Sequence, residues 1–134
     1  MKAEELMIGD LVRVNKDVSI KKGTIVKVRG IDGDRRFQEL TGCATCVAVG
    51  DIDEMTCGVW LAYLEPIPLT PEILERNKIR YQFGMPWYQG GADGVFEFRY
   101  RSDDDSTEVR KPVRYVHELQ HILKECGIEK EVEI

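Results

Sequence analysis

The sequence predicts an α+β protein, with an all-β module first and a mixed module with two helices second. In residues 1 to 66, short runs of alternating apolar and polar residues recur between glycines, which is typical of strands. In residues 67 to 134, helix-start signals and a helix-ending glycine flank further alternating runs. Pro66 and Pro68 stand between the two patterns, so we expect modules at 1 to 66 and 67 to 134 that pack as one compact unit.

The first module contains four or five short predicted strands. Val12 and Val14 are separated by one polar residue, and a second alternating run covers residues 24 to 31. Further strands are predicted at residues 46 to 49 and 58 to 64. So many short strands indicate a small, strongly bent sheet, and the GDLVRV and KKGTIVKV segments resemble the first hairpin of an SH3-like β-barrel.

The second module opens with a short predicted helix. Thr70 is a typical N-cap residue, Pro71 suits the first helical position, and Glu72 favours the positive end of the helix dipole. We expect this helix to end near Asn77.

The rest of the second module is predicted to form a sheet and a long helix. The alternating runs predict three strands, at residues 79 to 83, 95 to 101 and 107 to 111. A long helix follows over residues 113 to 126, Gly127 ends it, and residues 128 to 134 are predicted to add a last strand. The module is therefore expected to be an antiparallel or mixed sheet with two helices.

Trp87 and Tyr88 fall in a glycine-rich segment that is predicted to be a loop. Large aromatic residues on loops are enriched at interfaces, so these two are the candidate interaction surface. The alternative is that both rings cover the core between the modules.

Residues 117 to 121 read HELQH and match the H-E-x-x-H pattern of zinc peptidases. On a helix, His117 and His121 would lie one turn apart and hold a zinc ion, while Glu118 acted as general base to a metal-bound water. Together with Leu119, these residues resemble the HELGH run of ImmA/IrrE-type metallopeptidases, but Gln120 replaces the glycine of that run.

A structural interpretation of the same helix is favoured. The apolar residues form one broad stripe, and His117 and His121 fall roughly opposite it among charged residues, as on an ordinary solvated face. A catalytic zinc takes three protein ligands, and the chain has no third histidine. A carboxylate would have to fold back from the terminal segment, which offers Glu129, Glu131 and Glu133. We therefore expect no enzyme activity, catalytic residue or cofactor, with a zinc peptidase as the alternative.

The four cysteines are expected to be reduced. Cys43 and Cys46 form a C-x-x-C pair, but residues three apart on a strand point to opposite faces, and the sequence has no second such pair. The predicted role of these cysteines is that of small buried side chains.

Charge is unevenly distributed in the first module. From residue 13 to residue 36 there are eight basic and three acidic residues, although the whole chain carries a formal charge of −5. A basic hairpin of this kind could bind a phosphate backbone. The residues involved would be Arg13, Lys21, Lys22, Lys27 and Arg29. The alternative is that these side chains keep strand edges soluble.

The overall composition predicts a cytoplasmic protein that does not bind membranes. No apolar run is long enough for a signal peptide or a spanning helix. The acidic balance also argues against a surface devoted entirely to nucleic acid or anionic lipid.

Three segments, MKAEELMIGDLV, LEPIPLTPEILERN and VRYVHELQHIL, resemble a family of small uncharacterised proteins from the prophages and mobile elements of gut Bacteroidetes. In that family the late helix commonly reads YVHQLQN, so Glu118 and His121 depart from it. By this resemblance the zinc-like pattern is not a motif of the family, and the family has no established activity to carry over. The resemblance favours a non-enzymatic binding or accessory protein of a mobile element whose partner is another, unidentified protein. The zinc peptidase and the nucleic-acid-binding hairpin remain the alternatives.

Overall fold

The computed structural model describes residues 6–17, 20–32, 46–50, 56–81, 86–102, 108–128 and 130–134. Contacts divide the chain into two compact units, Met1–Ile67 and Pro68–Ile134, next to the predicted boundary. Within the described residues, the chain combines two sheets with two α-helices, which confirms the α+β class.

The N-terminal unit contains one antiparallel sheet. Its strands are β1 (Leu11–Val14), β2 (Ile25–Asp32), β3 (Cys46–Gly50), β4 (Thr56–Trp60) and β5 (Leu64–Glu65). The order across the sheet is β4-β3-β2-β1-β5. The predicted strand over residues 58 to 64 is divided, because a 3-10 turn at Leu61–Tyr63 separates β4 from β5. Among the described pairings, β4 and β5 are the two edges, and none of these pairings closes the sheet into a barrel.

The core of this unit comes from one face of the first strands. Val12 pairs with Val26, so the alternating valines of β1 and β2 share one face. They form a cluster with Leu6 and Leu64, and Val12 is fully buried. The alternation in the sequence therefore predicted the buried face correctly.

The C-terminal unit contains a mixed sheet and both helices. Its elements are α1 (Pro71–Arg76), β6 (Arg80–Tyr81), β7 (Trp87–Gly90), β8 (Phe96–Arg101), β9 (Glu108–Val113) and α2 (Val116–Glu125). The strand order is β6-β7-β8-β9. Strand β6 runs parallel to β7, and the other neighbours are antiparallel.

Helix α1 begins as its sequence predicts. The Thr70 hydroxyl accepts the backbone N–H of Ile73 at 3.2 Å, and Pro71 occupies the first helical position. The helix ends in a Schellman motif, in which the Ile79 N–H donates to the Leu74 carbonyl at 3.0 Å. Lys78 takes the left-handed position of that motif with φ of 66°, where glycine is usual.

Helix α2 ends in the same motif, with the expected glycine. The Ile128 N–H donates to the Leu123 carbonyl at 2.9 Å, and Gly127 has φ of 72°. The start of this helix was predicted three residues too early, because Val113 belongs to β9 and pairs with Phe96.

Two further predictions for the C-terminal unit were wrong. Trp87 and Tyr88 lie on strand β7 rather than in a loop. The described residues after Gly127, at 128 and 130–134, form no strand. Instead, the side chain of Asn77 holds this terminal segment by accepting the Glu133 N–H at 2.8 Å and donating to the Glu133 carbonyl at 2.7 Å.

Neither described helix has the length and apolarity that crossing a membrane requires.

Candidate functional site

Glu118, the candidate general base, caps helix α2. Its Oε1 atom accepts the backbone N–H groups of Arg114 at 3.0 Å and Tyr115 at 3.1 Å. Glu118 is the third residue of the helix, which is the position from which a glutamate side chain reaches back to the N-cap residue. The HELQH sequence, which matches a catalytic pattern, therefore contains the glutamate of a capping box.

The two histidines of the motif lie side by side, but one of them is buried. His117 is 3% exposed, so the prediction of a solvated pair was wrong for this residue. The ring of Tyr115, which precedes the helix, stacks on His117 with 5.8 Å between centroids and 6° between planes. The ring of His121 lies edge-on to that of His117, with 5.8 Å between centroids, and His121 is half-buried. The predicted helix over residues 113 to 126 did not indicate this stacking, because Tyr115 lies before the start of the helix.

A third zinc ligand does not join this pair among the residues that the structure describes. No group of three or more histidine, cysteine, aspartate or glutamate side chains there could hold a metal ion. Glu131 and Glu133 belong to the described residues, whereas Glu129 lies outside them.

The cysteines give no metal-binding group in the described residues either. Burial raises the pKa of the Cys126 thiol, and the nearby Glu125 carboxylate adds to the rise, so this free cysteine is a protonated and weak ligand at neutral pH. Cys46 and Cys57 lie on β3 and β4, and Cys43 lies outside the described residues.

Of the predicted aromatic pair, Tyr88 is not a surface residue. It is 4% exposed, and its ring packs edge-on against Phe96 and Tyr81 with 5.6 Å between centroids in each case. Burial raises the pKa of Tyr88, and the carboxylates of Glu75 and Glu72 on α1 add to the rise. Tyr88 therefore belongs to the core of the C-terminal unit.

Trp87 points to the other side of the same strand. The cross-strand register pairs Trp87 with Arg99 and Gln89 with Glu97, and it pairs Arg99 with Arg110 of β9. Because alternate residues of a strand share a face, these five residues lie together on one face of the sheet.

The opposite face of the sheet is buried around two phenylalanines. Phe96 and Phe98 are at most 2% exposed. Lys111, which pairs with Phe98 in the register, forms an ion pair of 2.8 Å with Glu125 of helix α2. Helix α2 therefore lies along this side of the sheet, and the face with Trp87 is the open one.

The open face carries a tryptophan and four arginines, and we call it the arginine face. It consists of Arg80, Trp87, Arg99, Arg101 and Arg110, with Glu97 and Glu108 among them. Arg80, Arg101 and Arg110 are exposed, whereas Trp87 and Arg99 are half-buried. Four arginines and two glutamates give this face a charge of +2, although the chain as a whole is acidic.

Glu97 organises one part of the arginine face. Its carboxylate accepts hydrogen bonds from Arg110 and Gln89, and Arg99 lies 3.3 Å away. The hydrogen bonds from Arg110 and then Gln89 lower the pKa of Glu97, so this carboxylate stays charged in mildly acidic solution. Glu97 thus holds two guanidinium groups in place.

Arg99 also lies over the ring of Trp87, with its guanidinium carbon 5.0 Å from the ring centroid. This cation–π contact fixes a planar cation against a planar ring. Next to it is a groove of about 260 Å³. The groove is lined by Trp87, Arg99, Tyr100, Arg101, Glu108 and Val109.

The basic residues of the N-terminal hairpin are less concentrated than those of the arginine face. Arg13 forms an ion pair of 3.9 Å with Glu65. Lys27 lies on the same face of the sheet as Arg13, because it pairs with Leu11 in the register. Lys21 and Lys22 are exposed in the turn between β1 and β2. The side chain of Arg29 is outside the description. Nucleic-acid binding by this hairpin stays a prediction.

The arginine face was not found by sequence reasoning. Its residues are the polar positions of alternating strands, which resemble any solvated sheet face until the strands are aligned. One signal was present, because Glu97, Arg99 and Arg101 alternate with aromatic residues along β8. The register with β7 and β9 then adds Trp87 and Arg110.

No family model, curated protein or solved structure matches the chain.

Proposed function

We propose that this chain is a non-enzymatic binding protein and that the arginine face is its binding surface. The observation that carries the proposal is the contrast between the two faces of the C-terminal sheet. One face buries Phe96 and Phe98, whereas the other presents Trp87 and four arginines. Two of these arginines, Arg99 and Arg101, line a groove together with Trp87. Tryptophan and arginine are the residue types most enriched where binding energy concentrates.

The charge of the face favours an anionic partner. Arginine presents several N–H donors in a planar fork that matches carboxylate and phosphate groups. Arg101 pairs with Glu108 at 3.8 Å, and both side chains are more than half exposed. Exposed pairs of this kind contribute about 0–1 kcal/mol. An incoming anion can therefore displace the Glu108 carboxylate from this ion pair at little cost.

Helix α2 supports the non-enzymatic part of the proposal. Glu118, which a zinc peptidase would need near the metal-bound water, is hydrogen-bonded to the backbone at the helix start. We retain an accessory role in a mobile element as part of the proposal. It is supported by the resemblance of the MKAEELMIGDLV, LEPIPLTPEILERN and VRYVHELQHIL segments to small proteins of gut Bacteroidetes.

We further propose an SH3-like barrel for the N-terminal unit. The strand order β4-β3-β2-β1-β5 and the 3-10 turn between β4 and β5 support it. An irregularity of β2 between Val28 and Gly30 also supports it. Before this point β2 pairs with β1, and beyond it β2 pairs with β3 alone. Nuclear Overhauser contacts between side chains of β1 and β4 would support the barrel, and their absence would contradict it.

Retention on immobilised heparin, a general polyanion, tests the binding surface. The variant with Arg101→Glu and Arg110→Glu should elute at clearly lower salt than the parent. The control carries Arg76→Glu and Lys124→Glu, two exposed positions on the helices, and makes the same change in net charge. Equal losses in the two variants would show that net charge, and not the arginine face, governs retention.

Zinc content tests the non-enzymatic proposal. Protein purified without a chelator or a metal-affinity tag should contain far less than one zinc per chain, and His121→Ala should not change this. Near-stoichiometric zinc that disappears in His121→Ala would overturn the proposal in favour of the peptidase.

A further inference from the structure

We infer that the groove of the arginine face binds a nucleotide unit, with the base against Trp87 and the phosphate on Arg101. The inference rests on the proposed function and names the chemistry of its ligand. The unit could belong to a free nucleotide or to a single-stranded nucleic acid.

The side chains of the groove match the two parts of a nucleotide. Trp87 supplies an aromatic ring, and the Arg99 guanidinium carbon lies over it at 5.0 Å from the centroid, which adds a positive charge. Bases stack on aromatic rings and on guanidinium planes without requiring a particular sequence. Arg101 is exposed at the end of β8, where it can reach a phosphate.

The size of the groove favours a single unit. Its volume of about 260 Å³ lies below the roughly 300–1,000 Å³ of pockets that enclose drug-sized ligands. An open groove of this volume holds one base with its phosphate and leaves the neighbouring units of a strand on the surface. Arg80 and Arg110 are exposed on the same face and add positive charge for those neighbouring phosphates, and Arg110 also donates to Glu97.

An acidic peptide explains the groove less well. A carboxylate would satisfy Arg101, but nothing in an acidic side chain uses the Trp87 ring with the Arg99 guanidinium over it. Strand addition at β9 is also disfavoured, because Pro112 lies on this edge strand and lacks an N–H donor.

Glu108 provides a test in which binding is gained rather than lost. Its carboxylate pairs with Arg101 and lines the groove, so it competes with a phosphate and repels it. Glu108→Gln should therefore strengthen binding by about 2- to 5-fold, in line with a surface pair of up to about 1 kcal/mol. The matched control is Glu125→Gln, which breaks the similarly exposed pair with Lys111 on the covered side of the sheet.

The assay is fluorescence anisotropy with a labelled 12-nucleotide oligo(dT) or oligo(U), at about 50 mM and about 200 mM salt. If the protein contacts phosphates, its affinity for the oligomer falls from the lower to the higher salt concentration. Trp87→Ala should weaken binding by at least 5-fold, as expected for the loss of one stacked base, and Trp87→Phe should retain most of it. If Trp87→Ala does not fold, Trp87→Phe and Glu108→Gln still provide the comparison. Glu125→Gln should match the parent.

Competition with unlabelled ligands distinguishes a site for a free nucleotide from a site for a nucleic-acid strand. It also distinguishes failure of this inference from failure of the proposed function. Displacement by millimolar uridine monophosphate supports a free-nucleotide site, whereas displacement by the oligomer alone supports a strand site. Absence of binding by either ligand at 50 mM salt overturns the inference, and so does equal displacement by poly-glutamate. In both cases salt-sensitive retention on heparin that depends on Arg101 and Arg110 would leave the proposed function intact.

Discussion

Asn77 should act as a clamp that ties the terminal segment of the chain to helix α1. Its side chain is 2% exposed. It donates at 2.7 Å to the carbonyls of both Ile73 and Glu133, and it accepts the Glu133 N–H at 2.8 Å. The carbonyl of Asn77 also accepts a hydrogen bond from Lys130. Two substitutions of Asn77 test this arrangement.

Asn77→Ala removes three hydrogen bonds, each of which contributes about 0.5–1.5 kcal/mol. The Ile73 carbonyl keeps a second donor, the Asn77 N–H at 3.2 Å, and Glu133 is exposed enough for water to replace part of the loss. We therefore expect the free energy of unfolding of the C-terminal unit to fall by about 2–3 kcal/mol, independently of pH.

Asn77→Asp keeps the shape of the side chain but places a carboxylate oxygen against the two carbonyl oxygens. Burial and this repulsion should raise the pKa of the new carboxyl group above its value in the unfolded chain, although the Lys130 ammonium group opposes the rise. The native state then binds more protons than the unfolded state, so stability falls as pH rises. The loss relative to the parent should be about 3 kcal/mol at pH 7 and should shrink towards pH 4.

Urea unfolding followed by tryptophan fluorescence measures this effect in the C-terminal unit. A Trp60→Phe background leaves Trp87 as the reporter, because the chain has two tryptophans. An Asn77→Asp loss that does not change between pH 4 and pH 7 would refute the proposed contact with two carbonyls. A loss below about 0.5 kcal/mol for Asn77→Ala would refute the clamp itself.

Three further stability predictions concern single residues. Lys78→Gly should stabilise the C-terminal unit by about 0.5–1 kcal/mol in urea unfolding, because the φ of 66° at this position suits glycine. Gly127→Ala, at the matching position of α2, should destabilise the same unit. Glu118→Ala should cost about 1 kcal/mol in the same assay and Glu118→Gln much less, because an amide oxygen can still cap the two N–H groups. The lowered pKa of Glu97 means that its stabilising effect is present above the unfolded-state pKa and lost as pH falls through the folded-state pKa. The stability difference between the parent and Glu97→Gln should therefore disappear in acid, and a difference that persists there would contradict the role of the Arg110 hydrogen bond.

Local patterns in the sequence determined the start of α1, the end of α2 and the buried face of the first two strands. The start of α1 follows from Thr70 and Pro71, because capping and a fixed φ act within one turn. The buried face of β1 and β2 follows from alternating valines, because side chains on a strand alternate between faces. The end of α2 follows from Gly127, because glycine readily takes the left-handed conformation that ends a helix.

Only the tertiary structure decided the roles of the residues that had suggested a function. Glu118 is a cap because it lies at the third position of a helix whose start depends on where β9 ends. Tyr115 stacks on the buried His117. Tyr88 is buried and Trp87 half-buried, because β7 is a strand with one covered face. The arginine face exists because hydrogen-bond register brings residues of four strands together. Register and face burial are set by contacts distant in sequence, which no local pattern contains.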